Sequence, residues 1–339
     1  MSLFKIPDVM KAADVICRTY LGIKPGEEVV VLADSDSAME VVFACMGTVK
    51  AMGANPTLLM WPAPEPGKDT VDLSKVLLKA LEGADVYITL TRSTDPQRHP
   101  RWIELSRVQK KFRGVNLPRR TLRNIISPAL VDVDALEENQ RVLDKLHPII
   151  YSGKTGHVTS KLGMDVTFDY DSSKLKMSKE PPKAWDSKHE QGRGTSLPSG
   201  QLTIRGPREA SVEGVIVADG AITYFNEVPS QPIRLTVKKG KVVSIEGGAE
   251  ARKLQEIVKA NKNADQVGEF AIGTNPRSRL NLGEIGEEKK ALGQVHFALG
   301  YNIDGGGKTD SPVHIDMMSY NPTVEIDGKK IIKDGKVVL

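Results

Sequence analysis

The sequence predicts an α/β fold in two parts, a Rossmann-like N-terminal domain over residues 1–150 and a β-rich α+β C-terminal domain over residues 151–339. Three observations lead there. The length of 339 residues exceeds what one hydrophobic core usually fills. The first half alternates helical and strand patterns, as a parallel sheet with crossover helices does. After residue 150 the chain changes to short segments of period two with turn residues between them.

In the first half, "DVMKAADVICRTYL" carries apolar residues at helical spacing, and "PGEEVVVLAD" is a turn feeding a buried strand that ends at Asp34. "SAMEVVFACMGTVKAMGAN" predicts a helix closing at Gly53 and Asn55, with the strand "PTLLMW" after it. "SKVLLKALEGA" and "DVYITL" repeat the unit. No G-x-G-x-x-G follows the first strand, and "LADSDSAME" has no glycine where a pyrophosphate needs close backbone approach, so this domain is expected to hold no nucleotide.

In the second half, "IIYSGKTGHVTSKLGMDVTFDYD" reads as short strands and "KLKMSKEPPKAWDSKHEQGRG" as a polar loop. "GQLTIRG", "SVEGVIVADGAI" and "PIRLTVKKGKVVSIEGG" are strand-like. The helix "AEARKLQEIVKANK" separates them from "DQVGEFAIGTN", "GQVHFALGYN", "SPVHIDMMS" and "PTVEIDGKKIIKDGKVVL". The expected result is a mostly antiparallel sheet with one main helix.

Apolar content of 40% and charged content of 27% describe a soluble globular chain. The net charge of +4, from 47 basic and 43 acidic residues, is too small an excess to argue for nucleic acid. The one basic cluster, "RVQKKFRGVNLPRRTLR" over residues 107–123, reads as a solvated helix face and loop. Two cysteines, Cys17 and Cys45, build neither a disulfide framework nor a thiolate zinc site. "MSLFKIPDVMKAAD" lacks a signal-peptide core and no run of about 18 apolar residues exists, so a cytoplasmic protein without membrane or nucleic-acid partners is expected.

The chemistry concentrates in the late strands. In "SPVHIDMM", His314 and Asp316 stand two residues apart and share a strand face, with Val313, Ile315 and Met317 on the other. Glu269 in "VGEFAIG" and His296 in "QVHFALG" add two more such groups among apolar neighbours. Burying them costs several kcal/mol unless they are paired or metal-bound. A divalent cation would explain all four together, and separate hydrogen-bonded pairs would explain them singly. His99 lies on a loop after the third strand, while His157 and His189 sit in polar stretches. Glu209 and Glu213 follow Gln201 closely enough to assist as acid or base, and Gly305, Gly306 and Gly307 suggest a loop over the metal.

Several blocks carry a resemblance in order: "SLPSGQLTIRGPREASVEGVIVADGAI", "IRLTVKKGKVVSIEGGAEARKLQ", "VGEFAIGTNPRSRL", "GQVHFALGYNIDGGGKTDSPVHIDMM" and "IDGKKIIKDGKVV". They resemble the thermophilic metallo-aminopeptidase family (aminopeptidase T-like, peptidase family M29). That resemblance implies metal ligands at Glu269, His296, His314 and Asp316. Gln201 stands where the family has its first glutamate and is at most a weak further ligand. The family's tyrosine position is Ile303 here, with Tyr301 nearby. The resemblance further implies a homodimeric hydrolase that releases N-terminal residues from short peptides through water activated by Zn, Co or Mn. Glu269, Glu213 and Tyr301 are its catalytic candidates.

Gln201 favours a single-metal site, because a neutral amide neither bridges two cations nor balances their charge. The 2,5-dihydroxypyridine dioxygenases are similar in the same blocks and use one Fe(II) held by two histidines and an aspartate. Their closing His-x-Asp matches His314 and Asp316, and their other histidine falls at Glu269, so a ring-opening dioxygenase here would have to recruit His296. A non-catalytic binding protein with a degenerate site is the third reading.

Overall fold

Every position between Glu28 and Asp34 is apolar, a composition suited to a strand covered on both faces. In a computed structural model describing residues 5–63, 74–92, 113–117, 120–174, 194–205, 208–225, 227–303 and 306–339, this segment is β1 (Glu28–Asp34), buried from Val29 onward. It pairs in parallel with β2 (Asn55–Trp61) and β3 (Val86–Thr89). With β4 (Arg113–Asn116) and β7 (Gly194–Ser196) they form a five-stranded parallel sheet in the order β2-β1-β3-β4-β7. The helix Met39–Ala51 crosses from β1 to β2, and Lys75–Glu82 crosses from β2 to β3. Ser74 Oγ caps the second by accepting from the Leu77 amide at 3.1 Å. Cys17 and Cys45 are unpaired and buried.

Two arginines of the basic cluster are structural rather than solvated. Arg113 forks onto both carboxylate oxygens of Glu27, at 2.8 and 2.7 Å, and buried Arg120 donates to the Leu197 carbonyl at 3.0 Å. Residues 107–112, His99 and His189 lie outside the described residues.

The chain divides into two compact units, Met1–Leu136 with Pro181–Ser199, and Glu137–Glu180 with Gly200–Leu339. The position near residue 150 expected for the boundary falls within the helix Ala135–Ser152. Leu143, Leu146 and Ile150 of that helix pack into the core of the second unit. Its helical pattern continues the style of the preceding segments, so only its packing partners reveal which unit it serves.

The second unit contains two antiparallel sheets. The larger has eight strands: β5 (Thr155–Thr159), β6 (Asp165–Asp169), β9 (Glu213–Ala218), β10 (Ile233–Lys238), β11 (Lys241–Glu246), β15 (Thr323–Ile326), β16 (Lys329–Lys333) and β17 (Lys336–Val337). The smaller has four, in the order β14-β13-β12-β8, from β8 (Gln201–Arg205), β12 (Val267–Gly273), β13 (Val295–Gly300) and β14 (His314–Ser319). Phe168 of β6 meets Phe270 of β12 with ring centroids 4.9 Å apart, and Phe270 meets Phe297 of β13 at 5.0 Å. Each such ring, buried, contributes about 1.5–3 kcal/mol.

Alternation divides the four-stranded sheet into two different faces. Leu202, Ile204, Phe270, Ile272, Val295, Phe297, Leu299, Ile315 and Met317 all join the hydrophobic core. The intervening positions, including Gln201, Glu269, His296, His314 and Asp316, occupy the opposite face. Directly paired residues of antiparallel strands point the same way, and Ala298 pairs with both Glu269 and Asp316. The two carboxylates therefore lie in one row across the sheet with a methyl group between them.

Candidate metal centre

Small side chains clear the space in which the polar ones converge. Ala298 separates Glu269 from Asp316, and Gly300 pairs with His314. Gly300 has φ +89°, and a Cβ there would stand 2.2 Å from the Val313 carbonyl oxygen, so the close approach of β13 and β14 beside His314 requires glycine.

Glu269, His296, His314 and Asp316 are all buried. Donor atoms of Glu269, His314 and Asp316 lie within 4.8 Å of one another. His314 Nε2 is 3.0 Å from Asp316 Oδ1 and 3.7 Å from Glu269 Oε2. His296 Nε2 is 3.2 Å from Glu269 Oε1 and 3.7 Å from Asp316 Oδ1. The structure thus brings together the four residues that the sequence singles out.

The two imidazoles are not equivalent. His314 Nδ1 lies 2.7 Å from the Tyr301 carbonyl oxygen and donates to it, which turns Nε2 toward the carboxylates. A cation held between Nε2 and the facing carboxylate oxygens would satisfy all three side chains at once. The donor set fits a divalent ion bound by Glu269, His314 and Asp316. His296 Nδ1 has no hydrogen-bond partner among the described residues, so its ring is better placed to donate from Nε2 to Glu269. Burial pushes the His296 imidazole below its ordinary value, against the pull of Glu269, and keeps it neutral. Burial pushes Asp316 up, but the Lys289 ammonium and His314 outweigh it and hold the carboxyl well below the usual carboxylate range.

Gln201 reaches the site but turns its oxygen away. Its Oε1 accepts from Lys290 Nζ at 2.7 Å, while Nε2 faces Thr203 Oγ1 at 2.5 Å and Glu269 Oε1 at 3.3 Å. Flipping the amide would set two donors against the ammonium and an oxygen against the carboxylate, so the network fixes the orientation. Tyr301 enters through its backbone carbonyl. Glu213 is exposed on β9 in the other sheet and accepts from the Lys239 amide at 2.7 Å, a turn contact that places it away from the centre. Glu209 accepts from Asn302, Lys308 and Thr309 at 2.9–3.0 Å and so secures the segment leading to His314. Half-buried His157 pairs with Asp165 at 2.9 Å on the eight-stranded sheet. Of the three loop glycines, Gly305 lies outside the described residues.

Two residues that the sequence reading passes over also reach the site. Lys289 Nζ lies 2.8 Å from Asp316 Oδ2, and Lys290 holds Gln201. Both follow the short helix Ile285–Glu288, whose last two residues are buried glutamates. Glu287 accepts from the Arg279 guanidinium at 2.8 and 3.0 Å. Glu288 accepts from the Leu282 amide at 2.7 Å and from the Tyr320 hydroxyl. The glutamates anchor the segment, and the lysines that follow extend to the centre. In the sequence, "GEEKKA" has only the appearance of a solvated charge run.

The mixed α/β fold is M29-like, and its second unit gathers buried Glu269, His314 and Asp316 into a group with the donor types of a metal site. The chain belongs, more narrowly, to the 2,5-dihydroxypyridine 5,6-dioxygenase (NicX) family, whose model matches residues 16–339. It is 31% identical over 161 residues to a 2,5-dihydroxypyridine 5,6-dioxygenase of Pseudomonas putida KT2440. That alignment covers 44% of this chain and 46% of the relative, so it spans about half of the curated protein. The solved structure of 2,5-dihydroxypyridine dioxygenase from P. putida KT2440 superposes with a TM-score of 0.74 at 21% identity, covering 98% of this chain and 96% of that one. AmpT from Thermus thermophilus, an M29 aminopeptidase, superposes with a TM-score of 0.66 at 17% identity, covering 99% and 100%. At these identities the two superpositions establish the fold.

Among the described residues, no helix is long and apolar enough to cross a membrane.

Proposed function

We propose that this protein is a mononuclear Fe(II)-dependent dioxygenase that opens the ring of a hydroxylated pyridine or a closely related hydroxylated aromatic. This reading displaces peptide hydrolysis, the first expectation from the sequence. The observation that carries it is the Gln201–Lys290 contact. A co-catalytic pair of ions, about 3.5–4 Å apart, needs carboxylates that bridge them. At position 201 the protein offers a neutral amide whose oxygen already accepts from an ammonium, and Asp316 Oδ2 is engaged by Lys289. One ion is therefore the occupancy that the donor set supports, and family membership gives that ion its chemistry.

In this reading Glu269, His314 and Asp316 hold the iron, and His296 donates to Glu269 to keep that carboxylate oriented. The Tyr301 carbonyl fixes the His314 ring, and Lys289 fixes the far oxygen of Asp316. Iron, when bound, supplies the one-electron chemistry by which dioxygen reacts with an aromatic ring. The ligand set departs from two histidines and one carboxylate, because Glu269 takes the place of a histidine and adds negative charge.

The test is anaerobic reconstitution with Fe(II), followed by oxygen uptake and loss of ring absorbance with 2,5-dihydroxypyridine. Release of leucine from leucyl-p-nitroanilide by zinc- or cobalt-loaded protein is measured in parallel. Oxygen uptake without peptidase activity supports the proposal; the reverse pattern restores the aminopeptidase.

A further inference from the structure

Two ammonium groups flank the ligand set, and so far their role has been only to position it. Lys289 Nζ is 2.8 Å from Asp316 Oδ2, and Lys290 Nζ is 2.7 Å from Gln201 Oε1, whose amide in turn faces Glu269. Lys290 is buried with the centre. Lys289 and His314 are its more open members, with side chains 21% and 11% exposed against 7% for Asp316, 4% for Glu269 and none for His296. Among the described residues of the centre, Lys289 and His314 are therefore the ones a molecule from solvent reaches most readily.

Charge decides what that molecule can be. Among the described residues at the centre, the carboxylates of Glu269 and Asp316 balance the ammonium groups of Lys289 and Lys290. A bound divalent cation adds two positive charges to that set of described groups. In so buried a place solvent and salt screen that added charge poorly. A peptide's N-terminal ammonium would be repelled, and position 201 has no carboxylate to receive it. An oxyanion would find a cation on one side and a lysine on the other.

Resting on the dioxygenase reading for the identity of the ion, we infer that Lys289 and Lys290 make the loaded centre a receptor for an anionic oxygen and exclude amines. An ionised ring hydroxyl and a carboxylate share that chemistry. The lysines are specificity-determining residues of this site, in addition to positioning Asp316 and Gln201.

Zinc-loaded protein separates binding from turnover, because zinc has no redox chemistry. Isothermal titrations with 4-nitrocatechol, benzoate and leucinamide measure preference in the wild type, in Lys289→Gln, in Lys290→Gln and in the charge-retaining Lys289→Arg. Zinc content and melting temperature are recorded for each. The expected result is binding of 4-nitrocatechol or benzoate, no binding of leucinamide, and on the order of tenfold weaker anion binding in each glutamine variant, with Lys289→Arg near wild type. Tighter binding by 4-nitrocatechol identifies the hydroxylated ring as the occupant, and tighter binding by benzoate identifies the carboxylate. Leucinamide binding as well as either anion, or zinc-retaining glutamine variants matching the wild type, overturns the inference. If a glutamine variant loses its zinc, the wild-type preference alone decides. Oxygen uptake by iron-loaded wild type reports on the other reading: uptake without lysine-dependent anion binding sinks this inference alone, and the converse sinks the dioxygenase alone.

Discussion

Lys290 donates to the Oε1 oxygen of Gln201 at 2.7 Å, and this contact turns the amide nitrogen of Gln201 toward Glu269. Ligand identity at position 201 is thus coupled to a cation eighty-nine residues away in sequence. A glutamate placed there would pair with the ammonium and face the Glu269 carboxylate across the 3.3 Å now spanned by a hydrogen bond. Gln201→Glu is therefore expected to keep one ion per chain after equilibration with zinc and desalting, as measured by elemental analysis. The double variant Gln201→Glu with Lys290→Met is expected to take up more. A second equivalent in the single variant would show that Lys290 is readily displaced.

The histidines should separate under substitution. His314 has its Nδ1–H committed to the Tyr301 carbonyl and its Nε2 toward the carboxylates, whereas His296 Nδ1 has no partner among the described residues. Loss of an outer hydrogen-bond partner typically costs roughly 10–100-fold in metal affinity, and loss of a direct ligand costs more. Zinc competition against a chromophoric chelator should give about a tenfold loss for His296→Gln and more than a hundredfold for His314→Ala. Equal losses would make both rings direct ligands.

The strand-borne part of the site was legible because its signal is local. A period of two places His314 with Asp316 on one face, and glutamate or histidine within "VGEFAIG" and "QVHFALG" stands out against apolar neighbours. What escaped depends on non-local contacts. Lys289 and Lys290 reach the centre only because Arg279, Tyr320 and the Leu282 amide hold Glu287 and Glu288 in place, which "GEEKKA" does not display. Glu213 was drawn in by its closeness to Gln201 in sequence. The chain then leaves for the other sheet, where β9 pairs with β6 and β10, so nearness along the chain misleads. Strands β1, β2 and β3 of the first unit were readable from their apolar runs, whereas β4, set in a basic cluster read as helix face and loop, and the three-residue β7, beside a stretch read as polar loop, carry no such run. Nor was the unit served by Ala135–Ser152 readable, since amphipathicity does not name the partner.

Ala298 tests the floor of the centre. It is fully buried and in register with Glu269 on one side and Asp316 on the other. A leucine there must occupy the space between the two carboxylates. Overpacking of this kind typically costs about 1–3 kcal/mol in stability. The expected phenotype of Ala298→Leu is a folded protein of lower melting temperature that no longer retains zinc through desalting. Retention of a full equivalent would place the ion elsewhere.

Asp219 gives a pH signature away from the ligand set. Burial raises its pKa from 3.8 to about 6, against the hydrogen bond that its Oδ1 accepts from the Tyr320 amide at 2.8 Å. A carboxyl whose folded value lies above its unfolded value favours the folded state while protonated. Its contribution is complete below the unfolded pKa near 3.8 and is lost as pH rises through about 6. Asp219→Asn retains an oxygen to accept from Tyr320 and removes the ionisation. Melting temperatures of the two proteins should therefore be closest near pH 4 and diverge as pH rises to 7, where the variant should be the more stable. A difference that stays constant across this range would mean that Asp219 ionises as freely in the folded protein as in the unfolded chain.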